Sequence, residues 1–252
     1  MQSSQAWKGR RKTCRIPSLT RRRTFLADYL PHNSLPPERA AWLALLPALA
    51  TFGYYALPSS LQQNRWITFG PQILAYASLA LWASLNPGWK AALRLQPDGI
   101  RPSLKWGLFV GVALGAVNVS LILQVIPALG GEITFLRQTP HAQAPVWVMF
   151  PLGIAGIGVL VELNFRGFQL GRLLVLFGDS YAGRIAAVIV SALVFAHDPF
   201  MVRVFQHLHV IAVWDGLVWG VLLLRTGSLY ATMAAHIVEV WILYVSLKLW
   251  FG

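Results

Sequence analysis

The sequence predicts an all-α fold, a polytopic membrane helix bundle of about seven transmembrane helices. Three observations predict it. Charged residues make up 12% of the 252, against about 25% in a soluble globular domain, so charge cannot cover the surface and lipid must. Apolar stretches close to the ~20 residues that cross a bilayer recur along the chain, separated by Pro, Gly and polar turns. No stretch has the alternating period of a barrel strand.

The elements follow in order. Residues 1–37 form a basic tail that carries much of the net charge of +12. Lys8, Arg10, Arg11, Lys12, Arg15, Arg21, Arg22 and Arg23 all precede the first acid, Asp28. Next to a membrane domain this reads as a disordered cytoplasmic tail that fixes orientation, not as a nucleic-acid arm. It is a poor signal peptide, because Asp28, His32, Pro36, Pro37, Glu38 and Arg39 separate the charges from the first apolar run. The single cysteine, Cys14, excludes a disulfide framework and a cysteine-based metal site. Residues 38–252 are expected to be the transmembrane domain.

Within that domain, spans are expected at 41–57, 66–85, 104–129, 146–177, 184–196, 208–224 and 228–250. Trp66 and Trp82 read as interfacial anchors of the second span. Gly107, Gly111 and Gly115 in the third let a neighbouring helix come close. Residues 88–103 form a mostly basic connection, 130–145 a polar loop, and 200–207 a mixed loop. With the N-terminus in the cytoplasm, the inner side collects the tail, Arg39, Lys90, Arg94, Arg101, Lys105, Arg172, Arg184 and Arg225. The outer side holds Arg65, Arg137, Arg203 and Lys248. That bias predicts a cytoplasmic N-terminus and an external C-terminus. The compact, tail-only architecture suggests a bacterial inner membrane.

The fourth span contains Val161-Glu162-Leu163-Asn164-Phe165-Arg166-Gly167-Phe168. Glu162 and Arg166 share one helical face. A charge at bilayer depth is expensive and needs a partner, water or a proton. The pair alone is compatible with a structural brace between helices. Two further groups broaden the choice. Counting ~1.5 Å per residue from the expected inner helix ends, Glu162 lies roughly 22 Å deep, His197 about 21 Å and His236 about 13 Å. Three helices thus bring titratable groups into the hydrocarbon, where such groups face a bundle interior or a wet cavity. A carboxylate beside an imidazole can activate water, and a second imidazole can stabilise an oxyanion.

No His-x-x-x-His or His-Glu-x-x-His spacing is present, so no metal is expected. There is no Gly-x-Ser-x-Gly serine elbow. Glu239, three residues after His236, and Asp215, inside the sixth span, are further acids at membrane depth. Each could be catalytic or simply paired. Asp198 is expected at a helix end. His32, His141, His207 and His209 read as loop or interface residues.

These residues resemble the CPBP family, the CAAX-type prenyl endopeptidases and bacteriocin-processing (Abi) proteins. The run from Val161 to Phe168 resembles the family's Glu-Glu-x-x-x-Arg motif. Leu193 to His197 stands where the family has Phe-x-x-x-His. Arg225-Thr226-Gly227-Ser228-Leu229-Tyr230 followed by His236 is similar to the lead-in and start of its His-x-x-x-Asn motif. The resemblance covers roughly residues 90–245. It implies a glutamic-type intramembrane endopeptidase acting on a membrane-associated protein or peptide, without a cofactor. The catalytic candidates are Glu162, Arg166, His197, His236 and Glu239. On that implication His197 would deprotonate water, His236 would stabilise the oxyanion, and Glu162 and Arg166 would shape the pocket. Three positions depart from the pattern. Val161 stands where the family has its first Glu, Leu193 where it has the Phe, and Val240 where it has the Asn. These departures leave open a catalytically impaired member acting as a membrane peptide-binding, immunity or scaffold protein. A proton-relaying transporter would use similar groups, but the paired interrupted helices of such folds are missing from the sequence.

Overall fold

The computed structural model describes residues 38–252, apart from Asp98 and a few side chains between 140 and 157. The basic tail, with Cys14 and His32, lies outside the described residues, as does the side chain of His141. Every described regular element is helical. Among the described residues the seven main helices, in chain order, are α1 (Ala41–Tyr54), α2 (Gly70–Leu85), α3 (Ile100–Ala128), α4 (Val146–Phe177), α5 (Tyr181–Ala196), α6 (Pro199–Thr226) and α7 (Leu229–Phe251). Four of them, α3, α4, α6 and α7, are long and apolar enough to cross a membrane; α1 and α5 are shorter apolar helices.

The boundaries follow from local chemistry. The expected second span is broken at Phe69. Asn64 caps a short helix, Arg65–Thr68, by accepting from the Trp66 N–H at 2.9 Å, and Pro71, which has no N–H, sits in the first turn of α2. Asn86 ends α2 and ties it to the start of α1: its amide donates to the carbonyls of Arg39 and Trp82 and accepts from the Arg39 N–H. Ser180 caps α5 through the Gly183 N–H. Residues 200–207, expected as a loop, are helical instead. Asp198 accepts from the Phe200 N–H and Pro199 occupies the first turn, so a pair that reads as a stop in the sequence is also a strong helix start. Gln206 (φ 48°) then bends α6 before its long apolar run.

Two close pairs frame the bundle. α3 lies against α7 through the glycine face: a Cβ on Gly107 would sit 2.4 Å from the Ala231 carbonyl oxygen, and one on Gly111 2.6 Å from that of Ala235. α5 pairs with α6, where Gly216 lets the Ala192 backbone approach. α4 packs between these pairs, touching α5, α6 and α7. It is not uniformly α-helical. Wider π-helical turns run over Met149–Gly156, where Pro151 has no N–H to give, and over Leu163–Leu170. In the second stretch the Phe165 carbonyl receives the Ser191 hydroxyl of α5 at 3.0 Å.

Candidate active site

The core of the site starts at the junction where α4 changes from α- to π-helical turns. Glu162 ends the α-helical part and Arg166 lies one turn on; both are buried, at 0% and 1% exposure. Arg166 Nη1 stands 3.5 Å from Glu162 Oε1. The guanidinium lies over the rings of Phe195 on α5 and Trp219 on α6, at 4.5 and 4.7 Å. Aromatic faces stabilise a desolvated cation by about 2 kcal/mol. His236 reaches in from α7 and places Nδ1 3.0 Å from the same Glu162 oxygen. Its ring stacks on Trp219 with centroids 4.3 Å apart. Glu162, Arg166 and His236 are therefore in direct contact, and Trp219 supports two of them.

Glu239 stands one turn further along α7. The Asn118 side chain of α3 donates to Glu239 Oε1 and to Asp215 Oδ1 of α6, each at 2.8 Å. Arg166 is within electrostatic reach of both acids.

His197 makes its contacts elsewhere. It ends α5, with Nδ1 2.9 Å from the Leu193 carbonyl. Its ring meets His209 edge-on at 5.4 Å, and Phe52 lies 6.3 Å away. The Tyr55 hydroxyl donates to its carbonyl at 2.6 Å. Asp198, next in the chain, is at a helix end as expected. It is buried and accepts from Gln72 at 2.9 Å, and burial pushes its carboxyl up to about 6. The two departures with lost polar groups fill apolar contacts: Val161 packs against the cluster that includes Phe165, Val194 and Phe195, and Val240 against that of Met149, Ile154 and Tyr244.

A second buried polar cluster surrounds Arg172, also on α4. Its Nε is 2.5 Å from Glu38, its guanidinium lies 4.1 Å over Trp82, and Nη2 donates to the Ala92 carbonyl. Trp82 is fully buried and donates to Glu38, so it is a packing element and not the interfacial anchor its position suggests. Three residues that matter here are not picked out by the sequence: Asn118, Trp219 and Glu38. A lone Asn in an apolar run is the available signal for the first. Trp219 is one aromatic among 11 tryptophans, with nothing local to single it out.

A sequence model described as type II CAAX prenyl endopeptidase Rce1-like matches residues 143–242. No curated protein and no solved structure gives a match. The matched stretch runs from just before α4 into α7 and contains Glu162, Arg166, His197, His236 and Glu239. Residues 143–242 are thus similar to the Rce1-like segment of the CPBP family of membrane proteases, in a chain that is an integral membrane protein. Asn118 lies outside that stretch.

Proposed function

We propose that this protein is an intramembrane endopeptidase that hydrolyses a membrane-associated protein or peptide, with His236 as its working base. The observation that carries this reading is the 3.0 Å contact between His236 Nδ1 and the buried Glu162 carboxylate. With Nδ1–H donated to Glu162, the imidazole keeps the tautomer whose Nε2 lone pair can take a proton from water. Arg166 holds the carboxylate, and the Trp219 face fixes the ring plane. This gives His236 the water-activating role that family resemblance would assign to His197. The basic residues favour a cytoplasmic N-terminus.

A second reading, a non-catalytic peptide-binding member, draws support from Val161 and from the contacts of His197 with Tyr55 and His209. One experiment separates the two. Membranes carrying wild type, His236→Ala, His197→Ala or Val161→Glu are incubated with prenylated and unprenylated membrane peptides, and products are read by mass spectrometry. The protease reading expects cleavage by wild type, its loss in His236→Ala, and little change in His197→Ala. Cleavage that appears only in Val161→Glu would establish the non-catalytic reading.

A further inference from the structure

In the site described so far the acid for the leaving nitrogen is His236 itself, after it has taken the proton of water; a group that holds a proton from the start would be a second. α3, α6 and α7 supply a candidate. Asp215 and Glu239 each accept from the same Asn118 nitrogen at 2.8 Å, so their carboxylates are neighbours inside the bundle. They are 7% and 4% exposed, and Asn118 is 1% exposed. Glu162 is engaged by Arg166 and His236, and among the described residues no cation is ion-paired with Asp215 or Glu239. Two like charges on one amide, at membrane depth, are costly, and the one cation within electrostatic reach of both among the described residues, Arg166, is already paired with Glu162; a single proton held between them removes the conflict.

Further buried polar atoms of these helices are unpartnered. Glu239 Oε2, Asn118 Oδ1, both terminal nitrogens of Arg166 and the indole nitrogen of Trp219 are buried and have no hydrogen-bond partner. Trp219 is one helical turn from Asp215 and stacks on His236, while Arg166 packs against Gly216. Polar groups of four helices therefore meet around Arg166 and Asn118, and Trp219 links them to the imidazole.

We propose that Asp215 and Glu239, bridged by Asn118, share one proton and act as the general acid of the reaction, an inference that rests on the hydrolytic reading above. Water gives its proton to His236 Nε2 as its oxygen bonds to the scissile carbonyl carbon. As the C–N bond breaks, the shared proton passes from the carboxylate pair to the leaving nitrogen. The proton on His236 then returns to the pair, and both groups regain their starting state. Paired carboxylates sharing a proton are an established acid–base device.

The test has two readouts on purified protein in lipid vesicles. Infrared difference spectra of Asp215→Asn and Glu239→Gln against wild type report a protonated buried carboxyl group. Peptide cleavage is followed in the same samples, with thermal unfolding to verify folding. The expected result is that each amide variant removes the protonated-carboxyl band and lowers turnover at least 100-fold, consistent with the usual ~10²–10⁴-fold worth of a general acid. Absence of the band overturns the shared proton. A band that disappears while cleavage persists in both variants overturns the acid role. Wild type that cleaves nothing overturns the hydrolytic reading and the acid role with it, while the band still decides the shared proton.

Discussion

Glu162 Oε1 lies 3.0 Å from His236 Nδ1, joining α4 to α7 across 74 residues of sequence. The same oxygen faces Arg166. One carboxylate therefore serves a permanent cation and an imidazole at once, and removing its charge has two separable effects.

The first effect is on stability. Glu162→Gln keeps the side-chain shape but leaves the buried guanidinium without its anion. Breaking one member of a buried pair costs about 3–5 kcal/mol. A clear fall in unfolding temperature in micelles is expected. Glu162→Gln combined with Arg166→Met should recover part of that loss, because no charge is then left unpaired. A double variant whose loss equals the sum of the two singles would refute this.

The α3–α7 contact gives a steric prediction. A Cβ on Gly111 would lie 2.6 Å from the Ala235 carbonyl oxygen and 2.9 Å from Val238 Cβ, and backbone cannot swing aside. Gly111→Ala should destabilise the fold by about 1–3 kcal/mol. Gly53→Ala, in α1 with nothing within 4 Å of the added carbon, should be neutral or gain up to about 1 kcal/mol from helix propensity. Thermal unfolding of the two side by side checks the contrast.

Asp198 supplies a pH dependence. Burial raises its carboxyl from 3.8 to about 6, so between roughly pH 4 and 6 the folded state holds more protons than the unfolded one. Stability from this group is full below pH 4, falls as pH rises through the window, and is flat above about 6. A rise of this size corresponds to about 3 kcal/mol. Asp198→Asn preserves a capping side chain and should remove that slope. An unchanged slope in unfolding measured from pH 4 to 7 would contradict the assignment.

Arg172 and Glu38 should be coupled. The guanidinium meets Glu38, the Trp82 face and the Ala92 carbonyl together. A double-mutant cycle with Arg172→Met and Glu38→Gln should give about 0.5–3 kcal/mol, as expected for side chains in direct contact. A coupling indistinguishable from zero would mean the ion pair contributes nothing to stability.

Much of this is legible in the sequence because lipid imposes simple rules. Apolar length places the helices, and the glycines of α3 announce a close neighbour that proves to be α7. The Glu162 and Arg166 spacing survives even though the helix widens between them. What stays hidden is non-local. The partners of Asn118 lie 97 and 121 residues away, and no period in the sequence links such positions. Trp82 misleads for a related reason: a tryptophan near a span end looks like an interfacial anchor until a distant arginine covers it. His197 and His236 have comparable motif context, and only the packing of α5 against α1 and α6 sends the first toward Tyr55 and His209.

If Glu162 and His236 work as one unit in peptide hydrolysis, the turnover of a membrane peptide in vesicles reads it most directly. Folded wild type, Glu162→Gln, His236→Ala and the double variant are compared. Groups acting as a unit give grossly non-additive losses, so each single variant should lose about as much turnover as the double. Wild-type turnover in either single variant, or losses that multiply in the double, would contradict it.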